Sequence, residues 1–168
     1  MKSIKTFIIT CIFSLTLATL NCFSQSGKGA STNMKCLIVS DIHFSPIFGT
    51  TASDSLKQWL DKASFSEWIS YFKRTPAQMQ LNSNLYYQDS NYAELISAIA
   101  NMKRRLPRPA FIVICGDFIW HNATPADSTL KKKTIQFIAG LFKQSFPGVK
   151  IAPTMGNNDT YGQDYALQ

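Results

Sequence analysis

Three short polar motifs carry most of the chemistry available to this chain: Asp41-Ile42-His43, Gly116-Asp117 and Gly156-Asn157-Asn158-Asp159. Carboxylate oxygens, imidazole nitrogens and amide carbonyls are donors that divalent cations accept. Two such cations about 3.5 to 4 Å apart can clamp both the attacking and the leaving oxygens of a phosphoryl displacement. That arrangement needs a bridging ligand, and the carboxylate of Asp117 can give one oxygen to each ion. Asp41 and His43 lie two apart, so on a chain that stays extended their side chains point the same way and can grip a single ion. Asn157 offers a neutral carbonyl oxygen, which limits the negative charge around the metals. Gly116 and Gly156 let the backbone turn sharply with no Cβ in the way.

Each motif alone is an ordinary turn sequence; what precedes them makes the set informative. Cys36–Ser40 (CLIVS), Phe111–Cys115 (FIVIC) and Lys150–Met155 (KIAPTM) are short, mostly apolar and partly β-branched, as expected of strands buried on both faces. In open α/β sheets the ligand site lies outside the carboxyl ends of the strands, so the three motifs are expected to open into one crevice. Between the first two, Ser53 to Lys73 has helical spacing interrupted near Ser64 to Ser66, which fits one helix or two shorter ones. Residues 75 to 90 lack a period and read as a long loop. Asn91, with Glu94 three later, starts a helix through Leu95, Ile96, Ile99, Met102 and Leu106. Thr124-Pro125-Ala126-Asp127 starts another, with Ile135, Ile138, Leu141 and Phe142 as its buried stripe. The order is strand, helices, strand, helix, strand, with no internal repeat.

The succession D-x-H, GD and GN-x-[DE], each after a strand, resembles the calcineurin-like metallophosphoesterase superfamily. Asp41-Ile42-His43-Phe44-Ser45-Pro46 and Gly116-Asp117-Phe118-Ile119-Trp120-His121 look most like the acid sphingomyelinase-like phosphodiesterases and the related endopolyphosphatases. The resemblance implies an α/β fold, the N-terminal half of a four-layer α/β/β/α sandwich with its site at the carboxyl ends of the strands. It implies two divalent ions (zinc, manganese or iron), with Asp41 and His43 on one, Asp117 bridging and Asn157 on the other. His121, four residues after Asp117, then stands near the scissile phosphate. Most relatives place a histidine after the motif asparagine to help protonate the leaving group; here Asn158 stands there, and an amide carries no proton at neutral pH. Asn158 can still donate hydrogen bonds to a phosphoryl oxygen, and a GNND sequence is associated with the endopolyphosphatase side. The family completes its metal shells with later histidines, whereas this chain has only His43 and His121.

The implied reaction is hydrolysis of a phosphate ester by a hydroxide activated by the two metals, on a phosphorylated small molecule, a lipid headgroup or polyphosphate. The alternative is a non-catalytic phosphate-binding relative or a fragment lacking the remaining ligands, and the chain on its own is expected to be inactive. The domain organisation expected is a signal peptide at 1–24, a flexible lead at 25–35 and, over 36–168, the first part of the family domain, ending before the later histidine motifs. Lys2 and Lys5, an apolar stretch from Phe7 to Leu20 and the small-residue end Cys22-Phe23-Ser24 make up the leader, too short in its apolar core to span a bilayer. The protein is therefore expected to be exported, periplasmic or secreted, with acylation at Cys22 as the alternative and no transmembrane segment after cleavage.

Removing residues 1–24 takes away two lysines and no acid, so the net charge falls from +7 to +5. Cys36 and Cys115 are offset by three residues when the motifs are level, about 10 Å at strand rise, beyond disulfide reach; both read as buried thiols. The basic runs Lys103-Arg104-Arg105 and Lys131 to Lys133 read as solvated helix faces, although a polyanion would be drawn to the positive field. No nucleic-acid partner is expected: the aromatics do not interleave with the cations as a stacking surface requires.

Overall fold

A computed structural model describes residues 34–50, 53–81 and 88–160. The expected leader and almost all of the expected lead lie outside these residues.

Three parallel strands, β1 (Leu37–Val39), β2 (Phe111–Ile114) and β3 (Lys150–Pro153), form one sheet in the order β1-β2-β3. Leu37 pairs with Ile112, and Ile112 with Ile151, so all three carboxyl ends face the same way. The parallel pairing runs on past the strands: the N–H groups of His43 and Phe44 donate to the carbonyls of Asp117 and Phe118, each at 2.9 Å. The first two motifs are therefore locked side by side as they leave the sheet.

The crossovers are helical. Between β1 and β2 run α1 (Asp54–Lys62), α2 (Phe65–Arg74) and α3 (Tyr92–Arg105); α4 (Ser128–Ser145) links β2 to β3. The interruption at Ser64 resolves as two helices. Ser64 accepts from the Glu67 N–H, while the Glu67 carboxylate accepts from the Ser64 N–H at 2.7 Å, a reciprocal cap that starts α2 afresh. Asn91 and Glu94 form the same box at the start of α3. The proline at 125 begins a single 3-10 turn (Pro125–Asp127) before α4 proper.

One sheet face, carrying Val39, Ile112 and Ile114, is packed by an aromatic cluster of Phe44, Trp68, Phe72, Tyr92 and Phe137, all nearly excluded from solvent. The opposite face is open, contrary to strands buried on both sides: Ile38 is 70% exposed, and Phe111 and Cys115 are also exposed. Strand alternation sends every second side chain away from the helices. For that reason the expectation of two buried thiols fails: Cys36 is half-buried, Cys115 is exposed, and both are free. The solvated reading of Lys131 to Lys133 also fails for two of the three. Lys131 is 2% exposed and Lys133 half-buried, the first reaching the Thr160 carbonyl at 3.0 Å and the second the Ala63 carbonyl.

The segment from 75 to 81 is more tightly held than a loop without periodicity suggests. Pro76–Met79 forms a 3-10 turn, and the wholly buried Gln78 donates to the Ser45 carbonyl while accepting from the Tyr92 N–H, each at 2.9 Å. Asn91 adds bonds to the Ala77 and Gln80 carbonyls. Among the described residues no helix is long and apolar enough to cross a membrane.

Asp127, 5% exposed, accepts from Lys57 at 2.7 Å and from the N–H and hydroxyl of Thr124, joining α1 to the start of α4. Burial pushes this carboxyl up, but the bond from Lys57, the two from Thr124 and the Lys57 charge outweigh it and hold it below its ordinary value. A depressed folded value stabilises fully above the unfolded pKa of about 3.9 and is lost as pH falls through the lower folded value. Asp127→Asn should therefore cost about 1 to 3 kcal/mol in urea unfolding at pH 7. The deficit should shrink as pH falls below about 3.9 and vanish only below the lowered folded value, and a deficit independent of pH would show that the ionised form of Asp127 contributes nothing.

Candidate metal centre

Ligand atoms of Asp41, His43 and Asp117 all lie within 4.8 Å of one another at the carboxyl end of the sheet. The backbone achieves this in an unexpected way. Asp41, His43 and Asp117 all have positive φ, at 55°, 41° and 55°, a region that Asp and His enter more readily than most residues but at a cost of about 1 to 3 kcal/mol each. Asp41 and His43 thus converge through two left-handed residues and not along an extended strand; His43 Nε2 stands 3.8 Å from Asp41 Oδ1.

Hydrogen bonds hold the strained turns. The His43 N–H donates to Asp117 and its carbonyl accepts from the Ser90 N–H at 2.8 Å. The largest share falls to Asp159, quoted in the third motif but given no role by the sequence reading. It is 3% exposed, and its carboxylate accepts from the N–H groups of Asp117, Phe118 and Gly156 at 2.8 Å and of Ile119 at 3.3 Å. One buried charge thereby ties the second and third motifs together. The two glycines allow the contact: a Cβ on Gly116 (φ 89°) would overlap Gly156, and one on Gly156 would overlap the Asp117 carboxylate. Lys131, whose ammonium holds the Thr160 carbonyl, secures the far end of the third motif.

The side chains are oriented as well as gathered. His43 Nδ1 lies 3.1 Å from the Ile119 carbonyl, which fixes the tautomer with Nδ1 protonated and Nε2 free to ligate. Asn158 donates from its N–H and its Nδ2 to Asp117 Oδ1, at 3.0 and 3.2 Å. Its polar hydrogens thus face a candidate ligand, whereas the sequence reading directed them at a phosphoryl oxygen. Asn157 is half-buried, and its backbone carbonyl accepts from the Thr160 hydroxyl at 3.2 Å. His121 stacks on His43 with ring centroids 4.0 Å apart and planes 19° from parallel.

Asp89 was missed altogether. Its Oδ1 sits 2.6 Å from His121 Nδ1 and also accepts the His121 N–H at 3.2 Å, so it sets the ring of His121 as Ile119 sets that of His43. No local signal marked it, because it lies in a segment without periodicity and meets His121 only through the fold. His43, Asp89 and His121 also gather ligand atoms within 4.8 Å.

The donor set of Asp41, His43 and Asp117 suits a hard or borderline divalent cation: two carboxylates and one correctly tautomerised imidazole. The family model for the calcineurin-like phosphoesterases matches residues 34–168, which contain every residue of the cluster. The chain belongs to this family. Its α/β fold with a parallel sheet and its His/Asp ligand groups are those of a metal-dependent phosphoester hydrolase domain. No curated protein matches the chain.

If Asp159 holds the strained turns, Asp159→Asn, which replaces one acceptor oxygen by a donor, should lower unfolding stability by about 2 to 4 kcal/mol. Manganese affinity, read by electron paramagnetic resonance of the free ion, should fall with it. A variant as stable as the parent with the same affinity would show that the buried carboxylate is dispensable.

Proposed function

We propose that the chain serves metal-dependent phosphate ester hydrolysis after export, with two divalent ions held by Asp41 and His43, by a shared Asp117 and by Asn157. The convergence of Asp41, His43 and Asp117 ligand atoms within 4.8 Å, on turns strained for no evident packing reason, carries this reading. When bound, such ions neutralise charge developing on phosphoryl oxygens and make water a nucleophile near neutral pH.

The chain's own residues set the geometry. Asn158 pins one oxygen of Asp117, and among the described residues no hydrogen bond falls on the other, so the carboxylate has a fixed plane and an open edge. His43 keeps Nε2 towards Asp41 because Nδ1 is spent on Ile119. His121, its Nδ1 tied to Asp89, retains Nε2 beside the cluster, where, when it carries a proton, it can donate to a phosphoryl oxygen. Export rests on the charged and apolar N-terminus.

A second reading, in which the chain binds phosphate without turning it over, draws on Asn158. The position that relatives fill with an imidazole is an amide already committed to Asp117. The two readings separate in one experiment. Manganese and methylphosphonate binding by calorimetry, with hydrolysis of bis(p-nitrophenyl) phosphate alongside, should show both binding and turnover under the first and binding alone under the second. Asp117→Asn should lose more than the roughly 10² to 10³ in rate typical of a single oxyanion contact, together with its metal affinity, and Asn158→Ala should lose less. Equal, mild effects would mean Asp117 is not a shared ligand.

A further inference from the structure

Beside the metal cluster, sharing Asp89 and His121 with it, lies an open cleft with a cavity volume of about 670 Å³. We propose that this cleft receives the organic group of the phosphate ester and selects one that is uncharged or cationic; the proposal rests on the metal-site reading above. Asp89 and His121 belong to both the cleft lining and the cluster around His43, so a phosphate held at the metals has its substituent directed past His121 into this space. The volume falls within the range of small-molecule sites. Ile47, Phe48 and Trp120 give it an apolar wall, and Asn122 a polar rim.

Charge decides the class of group. Among the described residues Lys57 is the only lysine or arginine lining the cleft, and its ammonium is already paired with Asp127 at 2.7 Å. Asp89 adds a second carboxylate, set 2.6 Å from His121. With His121 neutral the cleft carries one net negative charge; with His121 protonated it carries none. Either way it does not share the positive sign of the chain, whose net charge is +7. The exposed run Lys103-Arg104-Arg105 ends α3 and takes no part in the lining. A substrate extending as further phosphates would set its charges against Asp127 and Asp89 with no free cation to meet them, a repulsion little screened within a Debye length of about 8 to 10 Å. An aromatic or aliphatic group would instead cover the half-buried Ile47 and Phe48 and release water from them.

The test measures affinities of three non-hydrolysable probes for the whole chain loaded with manganese, by calorimetry: methylphosphonate, phenylphosphonate and 4-phosphonobenzoate. The ring should tighten binding about tenfold over the methyl group, as burial of a modest apolar area predicts, and the added carboxylate should cancel most of that gain. Asn122→Trp, an exposed rim substitution that fills the cleft, should bring the phenyl-to-methyl ratio to about one. Asp127→Asn, which leaves Lys57 unpaired, should selectively improve 4-phosphonobenzoate; if that variant does not fold, the three parent affinities and Asn122→Trp still decide. Methylphosphonate binding with no advantage for the ring, or 4-phosphonobenzoate binding tightest of the three, overturns the cleft proposal alone. Failure of methylphosphonate to bind at all overturns the metal-site reading and this proposal with it.

Discussion

The carboxylate of Asp159 is the constraint on which the site depends. Two loops leave neighbouring parallel strands with their N–H groups exposed, and the turns that bring Asp41, His43 and Asp117 together are ones the backbone resists. Four N–H groups from both loops converge on one buried anion. Hydrogen bonds to a charged acceptor are about twice as strong as neutral ones, and here the charge is stabilised by the donors it organises. Without that anion the loops would carry unsatisfied donors in a crowded turn, and Asp117 would be free to relax from its left-handed conformation.

The same logic recurs one layer out. Ile119 sets the ring of His43, Asp89 that of His121 and Asn158 the plane of Asp117. Each candidate group is thus held by a partner with no need to touch a ligand itself, which is how protein sites hold ligating groups within fractions of an ångström. Gln78 and Asn91 extend the support by securing the segment after α2 against Ser45 and the start of α3. Much of the buried polar inventory, including Gln78, Asn91, Asp127, Lys131 and Asp159, joins one loop or helix start to another. A buried polar group is tolerated where its hydrogen bonds are made, and these are.

The sheet presents two unlike faces. The helix-covered face is sealed by Phe44, Phe72 and Phe137, while the other leaves Ile38 and Cys115 in solvent. Charge is also unevenly placed: the chain is strongly basic, yet the cleft beside His121 is lined by one neutralised lysine and two carboxylates. Net charge therefore describes encounter at long range and says little about what the site accepts.

Sequence by itself determined the α/β class, the order of strands and helical crossovers, the cap at Asn91, and the grouping of the three motifs at one end of the sheet. These follow from local chemistry: apolar runs of strand length, reciprocal capping residues and polar turns have physical reasons that operate within a few residues. Tertiary structure alone decided that Asp89 meets His121, that Asn158 faces Asp117, that Asp159 gathers four donors, that Lys131 is buried and that one sheet face is bare. Each of these joins residues far apart in the chain or depends on which side of an element is covered. Strand alternation allowed either face to be covered, and the run Lys131 to Lys133 carried no sign that the first member would turn inward to a carbonyl 29 residues away. Even the pairing of Asp41 with His43, expected from an extended chain, came about through left-handed turns. Those turns persist because Asp117 and Ser90 bond the His43 backbone from outside the motif.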